Sequence, residues 1–302
     1  MRILLLGSAG QVGWELRRSL ASFGTLVALT RQGDRGLCGD LTELTAFAAT
    51  VRQLVPDVIV NAAAYTNVDR AGSEREQASA INATAPRVLA AEAKSRGALL
   101  VHYSTDYVFD GSSDRPWQDD DPTEPLNVYG RTKLEGERAI RESGCRHLIF
   151  RTSWVYAARR KNFIRTMLRL AAEREGLQVI DDQYGAPTGA ELIADTTALA
   201  IRQCLAQGQD DGLYHLAASG ETTWFTYAQH IIRAAREAGW PVRVTDEAIQ
   251  PVSSDVFQSA AKRPKNSRLD TTRLESTFGL QMPDWRVGVD RALAEIFACE
   301  KP

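Results

Sequence analysis

Two residues in the stretch "NVYGRTKLEGE" (127–137) could carry out acid chemistry. Tyr129 stands four residues before Lys133, and on a helix this spacing places both side chains on one face. An ammonium near a phenol lowers the phenol pKa from its usual value of about 10. The pair therefore predicts a tyrosine that gives its proton to a developing alkoxide, although the spacing alone also arises by chance.

A third candidate lies in "HYSTDYVFDG" (102–111), where Ser104, Thr105 and Asp106 follow a short apolar run. Such runs end at the carboxyl edge of a parallel sheet, which is the edge where open α/β sheets bind ligands. Hydroxyl and carboxylate groups at this position are suited to hydrogen bonding a polar substrate.

The glycines of "GSAGQVG" (7–13) indicate a dinucleotide site. Gly7, Gly10 and Gly13 follow the first apolar run and open a predicted helix over residues 11–23. Glycines in this position let the backbone turn tightly and approach a pyrophosphate, whose charge is met by the helix N-terminus. The spacing is G-x-x-G-x-x-G, and three glycines in such a turn can also serve packing alone.

The residues after the second apolar run favour NADPH over NADH. Thr30 and Arg31 stand where an NAD-binding chain usually has an acid for the ribose 2'-hydroxyl, and an arginine pairs with a 2'-phosphate. The alternative is a solvated arginine. Asp40 and Leu41 could hold the adenine edge.

The stretch "NAAAYT" (61–66) offers small residues to a cofactor. They could lie against a nicotinamide ribose, or could pack against a helix.

The composition is that of a globular protein with no global preference for charged partners. The chain has 302 residues, is 44% hydrophobic and carries a formal net charge of −2. Neither nucleic acid nor a membrane surface is indicated as a partner. The N-terminus has too few apolar residues for a signal peptide, and Cys38, Cys145, Cys204 and Cys299 show no zinc spacing. We expect a cytoplasmic protein with reduced thiols.

The apolar runs predict the elements that must position these residues. Short runs rich in Ile, Leu and Val alternate with helix-length segments, which indicates a doubly wound α/β fold of the Rossmann type with a parallel sheet. The predicted strands are Ile3–Leu6, Leu26–Leu29, Val58–Val60, Leu99–Tyr103 and His147–Phe150. A capping box at Ser73–Glu76 predicts one helix start, and Asn127 predicts another.

The later part of the chain predicts a smaller C-terminal lobe that binds substrate. We expect a dinucleotide-binding domain over 1–155 with a contribution from about 190–217, and a substrate lobe from the remaining segments of 156–302. Helices are predicted near 162–175, 190–207, 224–238 and 284–299.

Taken together, these motifs resemble the extended short-chain dehydrogenase/reductase family, and within it the reductases of nucleotide-linked 4-keto-6-deoxy sugars. Later stretches of the chain are more specific to this family than the glycines are. They are "FRTSWVY" (150–156), "DDQYGAPTGAE" (181–191), "YHLAASGETTW" (214–224), "KRPKNSRL" (262–269) and "PDWRVGV" (283–289).

The resemblance implies the roles of individual residues. Tyr129 would be the proton donor, Lys133 would hold the nicotinamide ribose and lower the tyrosine pKa, and Thr105 would hydrogen-bond the sugar carbonyl. NADPH, with NADH as the second choice, would deliver hydride to C4 of the sugar, and the product would supply cell-surface polysaccharide. The implied cofactor-lining residues are Gly7, Gly10, Gln11, Val12, Gly13, Thr30, Arg31, Asp40, Leu41, Ala63, Ala64 and Tyr103.

The substrate set implied by the resemblance comes from three stretches of the chain. Its members are Thr105, Asp106, Tyr107, Trp154, Arg263 and Arg268. Trp154 could equally be a core aromatic. Lys262, Arg263, Lys265 and Arg268 fit a bound diphosphate, although a solvated loop is the ordinary interpretation of such a cluster.

A metal site is also implied by the resemblance. Some members of this group form a homodimer around Mg²⁺ with glutamates, and the matching positions are Glu15, Glu191 and Glu295. Carboxylate oxygens suit that ion.

Two other functions remain compatible with these motifs. One is a nucleotide-sugar epimerase or 4,6-dehydratase, but dehydratases of this superfamily have a glutamate directly after the aspartate, and here Tyr107 follows Asp106. The other is a non-catalytic NADP-binding regulatory subunit, against which the retention of Thr105, Tyr129 and Lys133 argues.

Overall fold

A six-stranded parallel sheet forms the centre of the protein. The computed structural model describes residues 1–208, 212–257 and 259–300. The strands are β1 (Arg2–Leu6), β2 (Thr25–Leu29), β3 (Val58–Asn61), β4 (Leu99–Thr105), β5 (His147–Thr152), β6 (Val155–Tyr156), β7 (Leu177–Ile180), β8 (Tyr184–Gly185), β9 (Thr188–Gly189), β10 (Gly212–His215), β11 (Thr222–Thr223) and β12 (Ile249–Val252). The order in the central sheet is β10-β5-β4-β3-β1-β2, with every neighbouring pair parallel. The five predicted strands and the α/β class are confirmed.

Helices cover both faces of this sheet. They are α1 (Gln11–Ser19), α2 (Leu44–Leu54), α3 (Arg75–Ser79), α4 (Ala85–Arg96), α5 (Val128–Ser143), α6 (Phe163–Glu173), α7 (Ala190–Gln207), α8 (Trp224–Glu237), α9 (Thr272–Phe278) and α10 (Trp285–Cys299). Alternate residues of each strand point to opposite faces. One face packs against α1, α7 and α9, and the other against α2, α4 and α5.

A second core lies outside the sheet, between α6, α8 and α10. The strands β7 and β12 pair in parallel at its edge. Between these later segments the chain returns to the sheet, because α7 packs on α1 and β10 pairs with β5.

The predicted capping box at Ser73–Glu76 is wrong. The helix begins at Arg75 with Glu74 as the N-cap residue, and no side chain caps it. The Ser73 hydroxyl donates to the Arg70 carbonyl instead, so it is unavailable to the helix.

The long pattern that follows this start is not one regular helix. A π-helical segment, Ala80–Thr84, separates α3 from α4, directly before Pro86 at the start of α4. Such π segments are frequent near functional sites.

Among the described residues, no helix is long and apolar enough to cross a membrane.

Candidate active site

Helix α5 brings Tyr129 and Lys133 to the carboxyl end of β4. The Asn127 side chain accepts from the Gly130 backbone N–H at 2.9 Å, so the predicted cap at Asn127 is confirmed. A Cβ on Gly130 would lie 2.1 Å from the Tyr107 carbonyl oxygen. The helix start therefore rests directly on the backbone that follows Thr105.

Lys133 is fully enclosed at this junction. Its side chain is 2% exposed, and its Nζ donates to the Tyr103 carbonyl oxygen at 2.5 Å. The same Nζ lies 3.4 Å from His102 Nε2. Burial lowers the pKa of Lys133 to about 8, and the charge of Glu137 opposes this shift. The lysine is therefore held in one place, in surroundings that disfavour its charged form.

The expected lowering of the Tyr129 pKa by Lys133 is wrong for this structure. Burial raises the pKa of Tyr129 to about 12, and a side-chain hydrogen bond with Thr105 opposes this shift. The ammonium of Lys133 is directed to β4 instead of the phenol. Tyr129 consequently keeps its proton at neutral pH, which is the state that a proton donor needs.

Thr105 and Asp106 form a buried hydrogen-bonded pair beneath Tyr129. The Thr105 hydroxyl donates to Asp106 Oδ1 at 3.0 Å, and the backbone N–H of Tyr107 donates to the Thr105 hydroxyl at 3.2 Å. Ser267 donates to the other carboxylate oxygen at 2.5 Å. Burial raises the pKa of Asp106 to about 6. Asp106 therefore orients Thr105, and Ser267 is a further residue of the site that the sequence patterns missed.

A cavity of about 720 Å³ opens beside this cluster. Tyr107 lines it, and its ring contacts Tyr129 edge to face at 5.5 Å between centroids. The other lining side chains are largely apolar and come from the second core, among them Phe163, Met167 and Trp224. A cavity of this size accepts a drug-sized or nucleotide-sized ligand.

Trp154 supports this cavity and does not line it. Its ring stacks on Trp224 at 3.6 Å between centroids, and a Cβ on Gly185 would lie 2.6 Å from it. The core-aromatic alternative for Trp154 is therefore the one that the packing favours, and of the two stacked tryptophans it is Trp224 that lines the cavity.

Of the four basic residues in the late loop, only Arg263 lines the larger cavity. Arg263 pairs with Asp69 at 2.7 Å. Lys265 pairs with Asp182 at 3.0 Å, and Arg268 pairs with Glu221 at 2.8 Å. Arg268 also donates to Asn266, so its guanidinium fastens the loop.

The glycine turn has the geometry expected for a pyrophosphate. Gly7 has φ +78°, and a Cβ on Gly13 would lie 2.1 Å from the Gly7 carbonyl oxygen. Helix α1 starts at Gln11 with no side-chain cap, so its first N–H groups face outward at the positive end of the helix dipole. A cavity of about 320 Å³ lies over this turn and reaches Thr30.

Three arginines around the smaller cavity were not predicted. Arg17, Arg159 and Arg160 line it, and the guanidinium groups of Arg17 and Arg159 lie 4.8 Å and 4.3 Å from the ring centroid of Trp14. Within residues 1–208, 212–257 and 259–300, none of the three has a carboxylate partner. The run "RRK" (159–161) was the one available signal, and only the fold shows that it returns to the glycine turn.

Asn162 fastens this returning segment, because its side-chain amide donates to Gln11 Oε1 at 3.1 Å. The segment 157–162 therefore lies across the turn that the glycines form.

Several residues predicted to line the cofactor have other contacts. Arg31 pairs with Asp40 at 2.8 Å, and Thr42 occupies the other oxygen of Asp40. Leu41 is 4% exposed and belongs to the core beneath the sheet. Tyr103 contributes its carbonyl to Lys133, while its hydroxyl meets Thr197 at 2.9 Å on the opposite face of the sheet.

The loop that carries Ala63 and Ala64 is held by the π-helical segment. Within that segment Asn82 is buried, and its side chain bonds the backbone N–H and C=O of Tyr65 at 2.9 and 3.0 Å. Asn82 also donates to the Thr132 hydroxyl on α5 at 3.2 Å. The π segment thereby joins the loop after β3 to the helix that carries Tyr129.

Glu15, Glu191 and Glu295 come from α1, α7 and α10. The charges of Glu15 and Glu295 contribute to the raised pKa of Glu191, whose largest cause is burial. Arg18 lies 3.6 Å from Glu15, and Arg291 lies 3.4 Å from Glu191. No group of three metal-binding side chains converges within the described part of the chain, so the donors suit Mg²⁺ chemically but one chain does not assemble a site.

Comparison with known proteins gives a consistent result. Residues 1–297 match the family described as the RmlD substrate binding domain. The chain is 54% identical over 297 residues to the dTDP-4-dehydrorhamnose reductase of Salmonella typhimurium, with 98% of each chain covered.

Two solved structures of proteins with this name are also similar. The Clostridium acetobutylicum protein is 32% identical with a TM-score of 0.87, and covers 98% of this chain and 99% of its own. The Bacillus anthracis protein, solved in complex with NADP, is 32% identical with a TM-score of 0.84, and 99% of each chain is covered.

Proposed function

The chain belongs to the RmlD substrate binding domain family, whose relatives are dTDP-4-dehydrorhamnose reductases, and from this premise we propose which residues perform the reaction. The protein reduces the C4 keto group of dTDP-4-dehydrorhamnose to give dTDP-L-rhamnose. One observation carries the proposal: α5 places Tyr129 and Lys133 against the end of β4 beside Thr105. Tyr129 is the proton donor, and Lys133 and Thr105 position the reactants.

Each of these side chains has a distinct task in the reduction. NADPH, when bound, supplies the hydride. Tyr129 holds its proton because burial raises its pKa to about 12, and it gives that proton to the oxygen that becomes the C4 hydroxyl. Thr105 would turn its hydroxyl from Asp106 toward the sugar carbonyl, and Lys133, which the Tyr103 carbonyl holds in place, would hold the nicotinamide ribose. A proton donor of this kind contributes about 10² to 10⁴ in rate.

The residues over the glycine turn fit a phosphorylated dinucleotide. The turn leaves no room for a Cβ at Gly7 or Gly13, and Arg17, Arg159 and Arg160 place three cations around the same cavity. NADP in the Bacillus anthracis relative supports this choice. Arg31 remains a candidate for the 2'-phosphate, because Asp40 engages its Nε and its side chain is 65% exposed.

The cofactor preference has a direct test. We expect kcat/KM for NADPH to exceed that for NADH, and Arg31→Ala to narrow the difference. Equal values for the two cofactors in the unmodified protein would refute the NADPH assignment.

The nucleotide sugar belongs in the larger cavity. Its apolar walls suit a base and a deoxysugar, and Arg263 supplies a cation for the diphosphate once its pairing with Asp69 is exchanged. Residues 1–155 with about 190–217 would hold the cofactor, and the remaining segments of 156–302 would hold the sugar nucleotide.

We also propose that two copies associate through the face that carries Glu15, Glu191 and Glu295, with Mg²⁺ between them. Three helices bring these carboxylates into electrostatic contact, and a second copy would add oxygen ligands. Sedimentation in Mg²⁺ should show a dimer that EDTA converts to a monomer. A sedimentation profile that changes with neither Mg²⁺ nor EDTA would refute the metal site and the interface built on it.

The cytoplasmic location stays a prediction.

The central experiment follows NADPH absorbance with dTDP-4-dehydrorhamnose as the substrate. Thr105→Val keeps the shape of the side chain and removes the hydroxyl, so turnover should fall. Ser112→Ala, which removes an exposed hydroxyl that bonds Asp110, is the matched control. Tight NADPH binding with no reduction of the sugar by the unmodified protein would favour the regulatory-subunit alternative.

A further inference from the structure

A buried histidine lies directly against the lysine of the site. His102 is 1% exposed on the central strand β4, and its neighbour across the parallel pair is Asn61 of β3, also 1% exposed. Burying two polar side chains within a sheet costs free energy unless each is hydrogen-bonded. The two ring nitrogens have different partners: Nδ1 contacts the Asn61 amide and Nε2 contacts the Lys133 nitrogen.

The partners of Asn61 determine which nitrogen of His102 carries the proton. The Ala63 backbone N–H donates to Asn61 Oδ1 at 3.2 Å, so the amide nitrogen of Asn61 faces His102. That nitrogen lies 3.1 Å from His102 Nδ1 and has only N–H groups to offer. Nδ1 must therefore be the acceptor, and a neutral imidazole then carries its proton on Nε2.

The imidazole is neutral in this environment. Burial, together with the charge of Lys133, holds the pKa of His102 well below its usual range. A doubly protonated ring would also direct a second N–H at the Asn61 amide. His102 thus presents one N–H, on Nε2, toward the Lys133 nitrogen 3.4 Å away.

An ammonium has three donors and no acceptor, whereas an amine has a lone pair. We propose that His102 is a positioning residue, held as the Nε2–H tautomer by Asn61, that biases Lys133 toward its proton-free amine. This inference rests on the proposed function only in taking Lys133 as the residue that serves the cofactor ribose. Its consequence is a Lys133 ammonium that is easier to deprotonate than burial alone would make it.

The other charged and titratable groups around Lys133 do not provide this bias. On its own helix, Glu137 favours the charged lysine, and Arg151 from β5 is bound to Glu137 at 2.7 Å. The charge of Asp106 contributes to the raised pKa of Tyr129, and neither group is among the causes that shift the pKa of Lys133.

The helical segments packed on α5 contribute little. The π segment Ala80–Thr84 has no ionisable side chain. Arg75, Glu76, Arg87 and Lys94 of α3 and α4 are exposed, and the buried Glu92 pairs with Arg52 and Arg96. Burial lowers the pKa of Lys133 to about 8, and the His102 donor acts in the same direction.

Two substitutions change what faces Lys133 without removing it. His102→Gln offers the ammonium an amide oxygen. In Asn61→Asp the new carboxylate accepts a hydrogen bond from Nδ1–H of His102. The imidazole proton therefore moves to Nδ1, and Nε2 becomes an acceptor. His215→Gln is the matched control, because His215 is equally buried but bonds the Trp117 carbonyl at 3.0 Å.

The measurement is an NMR titration of ¹³C-labelled lysine in the protein without cofactor, in which Lys133→Met identifies the signal among the chain's six lysines. We expect the Lys133 midpoint to rise by about half a unit to one unit in His102→Gln and in Asn61→Asp. It should not move in His215→Gln.

A midpoint that is unchanged in both folded variants would overturn the inference, and so would an equal rise in His215→Gln. Because this titration uses no substrate, its failure is distinct from failure of the proposed function, which turnover of Tyr129→Phe measures. In the loaded enzyme the alkaline limb of the kcat profile should move up with the same two variants, and a limb that stays in place would count against the inference.

Discussion

Glu137→Gln should loosen the helix that carries the site while keeping its shape. Glu137 lies one turn beyond Lys133 on α5, and it pairs with Arg151 of β5 through two bonds of 3.0 and 2.7 Å. The side chains are 1% and 3% exposed. This pair therefore fastens α5 to the sheet behind the lysine.

The size of the effect follows from the burial of both charges. Breaking a buried ion pair by removing one partner costs about 3 to 5 kcal/mol, because the other charge is left uncompensated. Glutamine keeps one oxygen for Arg151, and Arg151 also donates to the Asp119 carbonyl at 3.2 Å. We therefore expect a loss of about 3 kcal/mol, at the lower end of that range. The pKa of Lys133 should fall as well, because Glu137 favours its charged form.

The assay is urea unfolding of the cofactor-free protein, monitored by circular dichroism. Glu173→Gln is the matched control, since the Arg169–Glu173 pair has the same 2.6 to 2.7 Å contact but side chains that are 58% and 55% exposed. Exposed pairs of this type contribute about 0.5 kcal/mol or less. Equal losses of unfolding free energy for Glu137→Gln and Glu173→Gln would refute the reasoning that burial makes the Arg151–Glu137 pair the more stabilising of the two.

Two more perturbations test the rest of the site. Asp106→Asn should reduce turnover, because an amide has one acceptor oxygen for the two hydroxyl donors Thr105 and Ser267 and Thr105 is then less well oriented. It should nevertheless raise the free energy of unfolding at pH 7. The folded pKa of Asp106 is about 6, above the unfolded value of about 3.9, so the unmodified protein gains stability as the pH falls from 6 toward 4. The stability advantage of Asp106→Asn should therefore shrink over this range. A constant difference in unfolding free energy from pH 7 to 4 would argue against the raised pKa. The double substitution Arg159→Ala and Arg160→Ala should weaken NADPH binding by about 10- to 100-fold and reduce the salt dependence of that binding, as measured by cofactor fluorescence. The control Arg174→Ala, near the other cavity, should leave NADPH affinity unchanged.

The sequence could predict the sheet and the start of the catalytic helix, because those features are local. Alternating apolar runs marked five strands, and Asn127 marked a cap that the structure contains. The capping box at Ser73 failed because the Ser73 hydroxyl finds a carbonyl in the preceding turn. Local patterns do not reveal which of two nearby partners a hydroxyl chooses.

Partners that are distant in sequence could not be predicted. Ser267 reaches Asp106 across 161 positions, and the arginines after β6 return to a glycine turn about 150 residues earlier. The spacing of Tyr129 and Lys133 suggested a direct effect on the phenol, but it contained no information about His102 and the Tyr103 carbonyl. Those two groups lie on β4 and hold the lysine nitrogen against that strand.

The assignment of Tyr129 as the proton donor is the central claim, and single-turnover reduction by Tyr129→Phe tests it most directly. This change keeps the ring that contacts Tyr107 and deletes the proton. With saturating NADPH and dTDP-4-dehydrorhamnose, we predict that the rate of NADPH oxidation falls by about 10² to 10⁴, while NADPH binding changes little because Lys133 is intact. Oxidation of NADPH by Tyr129→Phe at the unmodified rate would contradict the account.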